Sequence, residues 1–238
     1  MKTIFHASNS RGAANHGWLN AKHSFSFASW YNPERTNFGA LRVLNDDIVS
    51  PGAGFGTHPH DNMEIITIPL AGSIAHKDSM GNSSIIKTGE IQVMSAGTGI
   101  QHSEFNPDEN EELRLFQIWI FPNKRNVVPR YDQFEMDTQA MKNNFLQLVS
   151  PNKEDEGTWI HQNAWIKIAE VDSNTEIVYS FNSKENGVYF MLIDGDVTIN
   201  NQQLKQKDAF GVWNTDKVVL KAICQSKILA IEIPMDFD

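Results

Sequence analysis

The sequence predicts an all-β protein with little helix, built from two antiparallel units, and three observations carry that reading. Short runs rich in β-branched and aromatic residues recur along the chain, turn-forming residues separate them, and helical periodicity is nearly absent. FGALRVL (38–44) gives the first clear strand, and MEIITIPL (63–70) the second, ended by Ala71-Gly72-Ser73. SIIKTGEIQVM (84–94) reads as a hairpin folded about Thr88-Gly89-Glu90, preceded by a turn at Met80-Gly81-Asn82. LRLFQIWIF (113–121), AWIKIAEV (164–171) and GVYFMLI (187–193) follow, with turns at Asp194-Gly195-Asp196 and Asn200-Asn201. The best helical candidates are the short stretches 131–134 and 138–143. A chain of 238 residues is long enough for two sandwiches or barrels.

The boundary between the units falls in the middle third. PNKRNVVPRYDQF follows the strand ending at Phe121, and SPNKEDEG (150–157) is charged and turn-rich, so each reads as a surface connection. The expected division is 1–125 for the first unit, 126–145 for a linker and 146–238 for the second. GSIAHKDSMGNSSIIKTGEIQVMSAG in the first half is weakly echoed by DGDVTINNQQLKQKDAFGVW in the second, which suggests an internal duplication.

Composition excludes several function classes. Lys and Arg total 20 against 29 Asp and Glu, a net charge of −9. Direct nucleic-acid binding needs a basic footprint to displace phosphate counterions, and this chain lacks one. Cys224 is the single cysteine, which rules out an internal disulfide and a thiolate metal cage. The first residues carry no apolar leader and no run approaches ~20 apolar residues, so the expectation is a soluble, cytoplasmic protein with no membrane contact.

The histidines carry the chemical signal. His58-Pro59-His60 and His102-Ser103-Glu104 are both i, i+2 pairs, and on a strand such pairs leave one face together. Two pairs facing each other would gather three imidazoles and a carboxylate, a donor set for a divalent first-row metal with positions left for water, dioxygen or substrate. A structural zinc site is normally closed and often cysteine-rich. Glu64 lies four residues after His60, so an unbroken strand would bring it to the same face, and parity alone does not choose between Glu64 and Glu104. The other carboxylate would support the ligands from outside or act as an acid or base. His6, His16, His23, His76 and His161 read as surface or capping residues. Ser95-Ala-Gly97-Thr-Gly99 reads as a turn before the second pair, since no helix follows it to bind phosphate. Phe25, Phe27, Trp30, Tyr31 and Phe38 read mainly as core, with an apolar pocket lining as the other role, and DENEE (108–112) as a solvated loop.

Gly52, His58, His60, Glu64 and Gly72 resemble the first cupin motif, with one extra residue between Glu64 and Gly72. Gly89, Ser95-Ala-Gly97, His102 and Asn106 resemble the second, with Ser95 where proline is usual and two extra residues before His102. These departures are similar to the pirin family, whose hallmarks resemble residues 23–72 and 76–106 and, more faintly, 146–166. The resemblance implies a bicupin, two antiparallel β-barrels packed face to face, with the metal in the first and none in the second. It implies His58, His60, His102 and Glu104 as metal ligands and so selects Glu104 over Glu64. It further implies one divalent metal, iron(II) foremost, with manganese, cobalt, nickel and copper overlapping in ligand preference. The implied activity is that of a quercetin 2,3-dioxygenase acting on flavonols or related enols with dioxygen and releasing carbon monoxide, with Glu104 as the base for the substrate hydroxyl. The other implied role is a metal- or redox-sensing regulator that binds a protein partner. An open apolar cavity at the metal would favour the enzyme, and a sealed one the sensor.

Overall fold

The computed structural model describes residues 1–237. Strands are joined by turns throughout, and the one helical piece among the described residues is a 3-10 turn at Ser8–Ser10. No helix is long and apolar enough to cross a membrane. Each half pairs a seven-stranded sheet with a four-stranded one. In the N-terminal half the larger sheet runs Arg130–Glu135, Glu90–Ser95, Glu64–Ala71, Leu113–Ile120, Leu41–Val49, Leu19–His23 and Gly12–Asn15 in spatial order. The smaller runs Gly54–His60, Ile100–Phe105, Ser73–Asp78 and Ser83–Lys87. The C-terminal half repeats the arrangement, with Asn186–Asp194 and Ser226–Pro234 central in its larger sheet. All pairings between these strands are antiparallel except that of Leu146–Ser150 with Thr158–Trp159.

Pleat alternation decides what each sheet face does. In Leu113–Ile120, Phe116, Ile118 and Ile120 point one way and Leu115, Gln117 and Trp119 the other. The first set joins Ile166, Ile168, Tyr189, Met191, Leu229 and Ile231 of the C-terminal half in one buried core. The two large sheets therefore pack face to face, and each such side chain contributes about 1.5–3 kcal/mol by leaving water.

The interiors of the two halves differ. The C-terminal interior is filled by Val188, Phe190, Leu192, Val197, Leu220 and Ile228. Its buried Glu232 is fully engaged, accepting from Tyr179 Oη at 2.9 Å, from Asn182 N and Nδ2 at 2.7 Å each, and from Ser183 N at 3.1 Å. The N-terminal interior instead holds a cavity whose polar lining is described below.

Three segments depart from the expectations. Residues 131–134, the first helical candidate, lie in the Arg130–Glu135 strand, paired along its length with Glu90–Ser95 at the edge of the N-terminal sheet. The expected linker thus contributes a strand to the first unit. Residues 138–143 form turns rather than a helix, tied by Asp137 Oδ1, which accepts from Gln139 N and Ala140 N, and ended by Asn143 at φ 53°. Lys2–His6 crosses over and pairs with Ala209–Trp213 in the C-terminal sheet, where His6 Nδ1 lies 2.8 Å from Tyr189 Oη.

Phe116 is fully buried in the shared core. Phe116→Ala should therefore cost about 3–5 kcal/mol in denaturant unfolding. Both halves should move together in one transition, followed by circular dichroism and tryptophan fluorescence. Two separated transitions would contradict the shared core.

Candidate metal centre

The Gly54–His60 strand pairs with Ile100–Phe105, placing His58 opposite His102 and His60 opposite Ile100. Gly54 permits this approach, because a Cβ there would collide with the Glu104 carbonyl. The His58 and His102 ring centroids are 4.4 Å apart, His58 and His60 4.9 Å, and His60 and His102 5.0 Å. Ligand atoms of the three lie within 4.8 Å of one another. His58 Nδ1 donates to Gly56 O at 2.8 Å, which leaves its Nε2 with a free lone pair. His102 is buried with neither ring nitrogen partnered. Burial and the neighbouring His58 lower His60 to about 4. Burial, His58, His60 and His76 lower His102 to about 3. Both are neutral near pH 7, as metal ligation requires. Converging imidazoles with ring nitrogens free to ligate fit a divalent transition metal.

Glu104 is buried beside this cluster. Its Oε1 accepts from Thr67 Oγ1 at 3.2 Å and its Oε2 from Gln117 Nε2 at 3.0 Å. Burial pushes its carboxyl above the usual range, against the pull of His76 and His58. A pairing irregularity between His102 and Glu104 shifts the carboxylate's register toward Phe55. Glu104 groups with His102 and His76 within 4.8 Å, so His76 adjoins the four expected residues.

Glu64 does not follow His60 on an unbroken strand. Asn62 at φ 43° turns the chain, and Glu64 opens a strand of the other sheet. There Ser95 Oγ donates to its Oε2 at 2.6 Å, and it lies outside both histidine clusters.

A cavity of about 290 Å³ reaches the cluster. His58, His60 and Glu104 line it together with Leu19, Phe27, Phe55 and Trp119, and with His23, Asn45, Asp47 and Gln117. Trp119 stands edge-on to His60, ring centroids 4.9 Å apart.

Three histidines expected at the surface or in caps are buried instead: His6, His23 and His76. His76 Nε2 lies 3.1 Å from Asp78 Oδ2, and its ring stacks on Tyr131. The same i, i+2 rule would have drawn attention to His76-Lys77-Asp78. His16 is exposed and His161 half-buried. Of the aromatic cluster, Phe25 and Phe38 join the shared core, Phe27 lines the cavity, and Tyr31 is exposed. Residues 96–99 form the turn between Glu90–Ser95 and Ile100–Phe105, with Gly97 at φ 49°.

Burial pushes the Glu64 carboxyl up to about 7 from 4.5, although Ser95, Arg130 and His161 pull it down. Between those values the unfolded chain releases this proton while the folded chain keeps it. The unfolded state then binds fewer protons, so Glu64 makes stability fall as pH rises from about 4.5 to about 7. Glu64→Gln should flatten the stability profile across that window and raise stability above it, read by denaturant unfolding at several pH values. A variant profile as steep as wild type would contradict this.

Comparisons with known proteins identify the family. A family model described as Pirin matches residues 5–120, and one described as Quercetinase C-terminal cupin domain matches residues 147–233. The chain is 42% identical over 231 residues to the quercetin 2,3-dioxygenase of Escherichia coli (strain K12), covering 95% of this chain and 96% of that one. It matches the crystal structure of YhhW from Escherichia coli with a TM-score of 0.94 at 38% identity, covering 100% of both chains. It matches the bacterial pirin YhhW in complex with nickel(II) with a TM-score of 0.92 at 38% identity, covering 98% of this chain and 99% of that one. With this identity running through both halves, the chain belongs to the pirin family of cupin-type all-β proteins.

Proposed function

We propose that the chain is a metal-dependent dioxygenase of the quercetin 2,3-dioxygenase type, cleaving flavonols or related enols with dioxygen. The observation that carries this reading is the convergence of three imidazoles, two of which, His58 and His60, line a largely apolar cavity. A cavity that reaches the histidines supports an enzyme over a sensor, which has no need of substrate space beside its metal. The relatives named for this activity support the same reading.

His58, His60, His102 and Glu104 are the proposed ligands, and iron(II) is the proposed metal. When bound, a divalent cation supplies Lewis acidity that lowers the pKa of a substrate hydroxyl. Glu104 takes that proton. Its burial raises its proton affinity, and Thr67 and Gln117 fix the direction of both oxygens. Leu19, Phe27, Phe55 and Trp119 keep the substrate body out of water and hold it against the imidazoles. The protein acts where no basic surface or membrane span is needed, in the cytoplasm, on a small molecule and dioxygen.

Replacing His58 and His102 together with Ala should abolish stoichiometric metal binding while the β-sheet circular dichroism persists, and Glu104→Gln should lower metal content more than Glu64→Gln. Metal-loaded wild type should consume oxygen with quercetin and release carbon monoxide. Glu104→Asp should lose oxygen uptake per bound metal on the order of a hundredfold, because a shortened carboxylate misplaces its oxygens by ~1 Å. Uptake no greater than that of the free metal salt would refute the dioxygenase assignment. Unchanged activity per metal in Glu104→Asp would remove Glu104 as the base.

A further inference from the structure

The Leu41–Val49 strand sends two consecutive acids to opposite sides of its sheet. Asp46 is met by two cations, Arg11 Nη1 at 3.3 Å and Lys207 Nζ at 3.0 Å. Asp47 is buried on the wall of the cavity, and its Oδ1 has no hydrogen-bond partner. Its register partners on the two neighbouring strands are Ala21 and Leu115, which offer no polar side chain. None of the nearby amide and imidazole groups donates to Asp47. His23 Nδ1 lies 2.9 Å from Asn45 Oδ1, and Gln117 bridges Thr67 and Glu104. Trp119 Nε1, a donor, is also buried and has no partner, so it does not reach Asp47 either. Asp47 is thus an acceptor left without a partner on the seven-stranded sheet, while His58 and His60 line the same cavity from the four-stranded one.

A buried polar oxygen without a partner is costly to keep, and a ligand that brings a donor to it recovers that cost. A carboxyl oxygen accepts in either protonation state, so this does not depend on whether Asp47 is ionised. We propose that Asp47 is a positioning residue that accepts a hydrogen bond from a second hydroxyl of the substrate, remote from the hydroxyl held beside the histidines. The substrate class is then a polyhydroxylated aromatic enol with an apolar body and polar groups at both ends. This rests on the dioxygenase reading of the same cavity, which supplies the first hydroxyl.

The test compares quercetin with galangin, a flavonol that keeps the fused-ring hydroxyls but lacks both hydroxyls of the pendant phenyl ring, the ring proposed to lie against Asp47. Binding to metal-loaded wild type, Asp47→Asn and Asp47→Leu is titrated without oxygen by quenching of tryptophan fluorescence, and oxygen uptake is measured in parallel. Asp47→Leu should weaken quercetin by about tenfold and leave galangin unchanged. Asp47→Asn keeps an acceptor oxygen and should retain most of the quercetin affinity. Thermal melting of Asp47→Leu should match or exceed wild type, since an unpartnered buried polar group is removed, whereas a structural role would lower it. Equal losses for both flavonols, no loss for either, or no flavonol binding by wild type would overturn the proposal. If quercetin preference follows Asp47 but wild type consumes no oxygen, the dioxygenase reading fails and the role of Asp47 stands. If wild type consumes oxygen and all three proteins bind both flavonols alike, the reverse holds.

Discussion

Pleat alternation in the large N-terminal sheet is the constraint on which the rest of the molecule depends. Because successive side chains leave opposite faces, Leu113–Ile120 commits Phe116, Ile118 and Ile120 to the core between the halves and Gln117 and Trp119 to the cavity. Leu41–Val49 divides in the same way, Leu44 toward the shared core and Asn45 and Asp47 toward the cavity. One sheet thereby anchors the apolar interface and presents polar groups to the interior. A slip of one residue in register would exchange the two sets, exposing apolar side chains to the cavity and burying carboxylates in the interface. The core between the halves therefore also fixes the orientation of the site.

The two halves share an arrangement of seven and four strands but spend their interiors differently. The C-terminal interior is closed by apolar packing, and its most deeply buried carboxylate, Glu232, is saturated with donors. The N-terminal interior keeps unpartnered nitrogen and oxygen atoms on His102, Asp47 and Trp119. Unsatisfied buried polar atoms cost stability, so their concentration beside a cavity marks the half where binding chemistry resides. The apolar core that both halves share offsets that cost.

Legibility of the sequence followed the range of the physics involved. His58-Pro59-His60 and His102-Ser103-Glu104 were readable because strand parity is a local rule, and the structure brings the three imidazoles together. Glu64 was ambiguous because the rule fails where the strand breaks, and nothing in Asp61-Asn62-Met63 states that the chain changes sheets there. The strand Arg130–Glu135 escaped detection because every residue but Glu135 is half-buried, which blurs its alternation, and its pairing partner lies some forty residues earlier. Lys2–His6 is placed by its fit against Ala209–Trp213, a partner that no local pattern identifies. The tandem acids Asp46 and Asp47 were equivalent on the page of the sequence; only the positions of Arg11 and Lys207 distinguish the paired one from the unpaired one.

The central claim is that His58, His60, His102 and Glu104 form one centre for a divalent metal in the N-terminal half, with Glu64 outside it. Anomalous diffraction at the metal's absorption edge, from crystals of protein purified with its metal, tests this most directly. The account predicts one anomalous peak bonded to these four side chains and none in the C-terminal half. A peak held by Glu64 in place of Glu104, or lying in the C-terminal half, would contradict it.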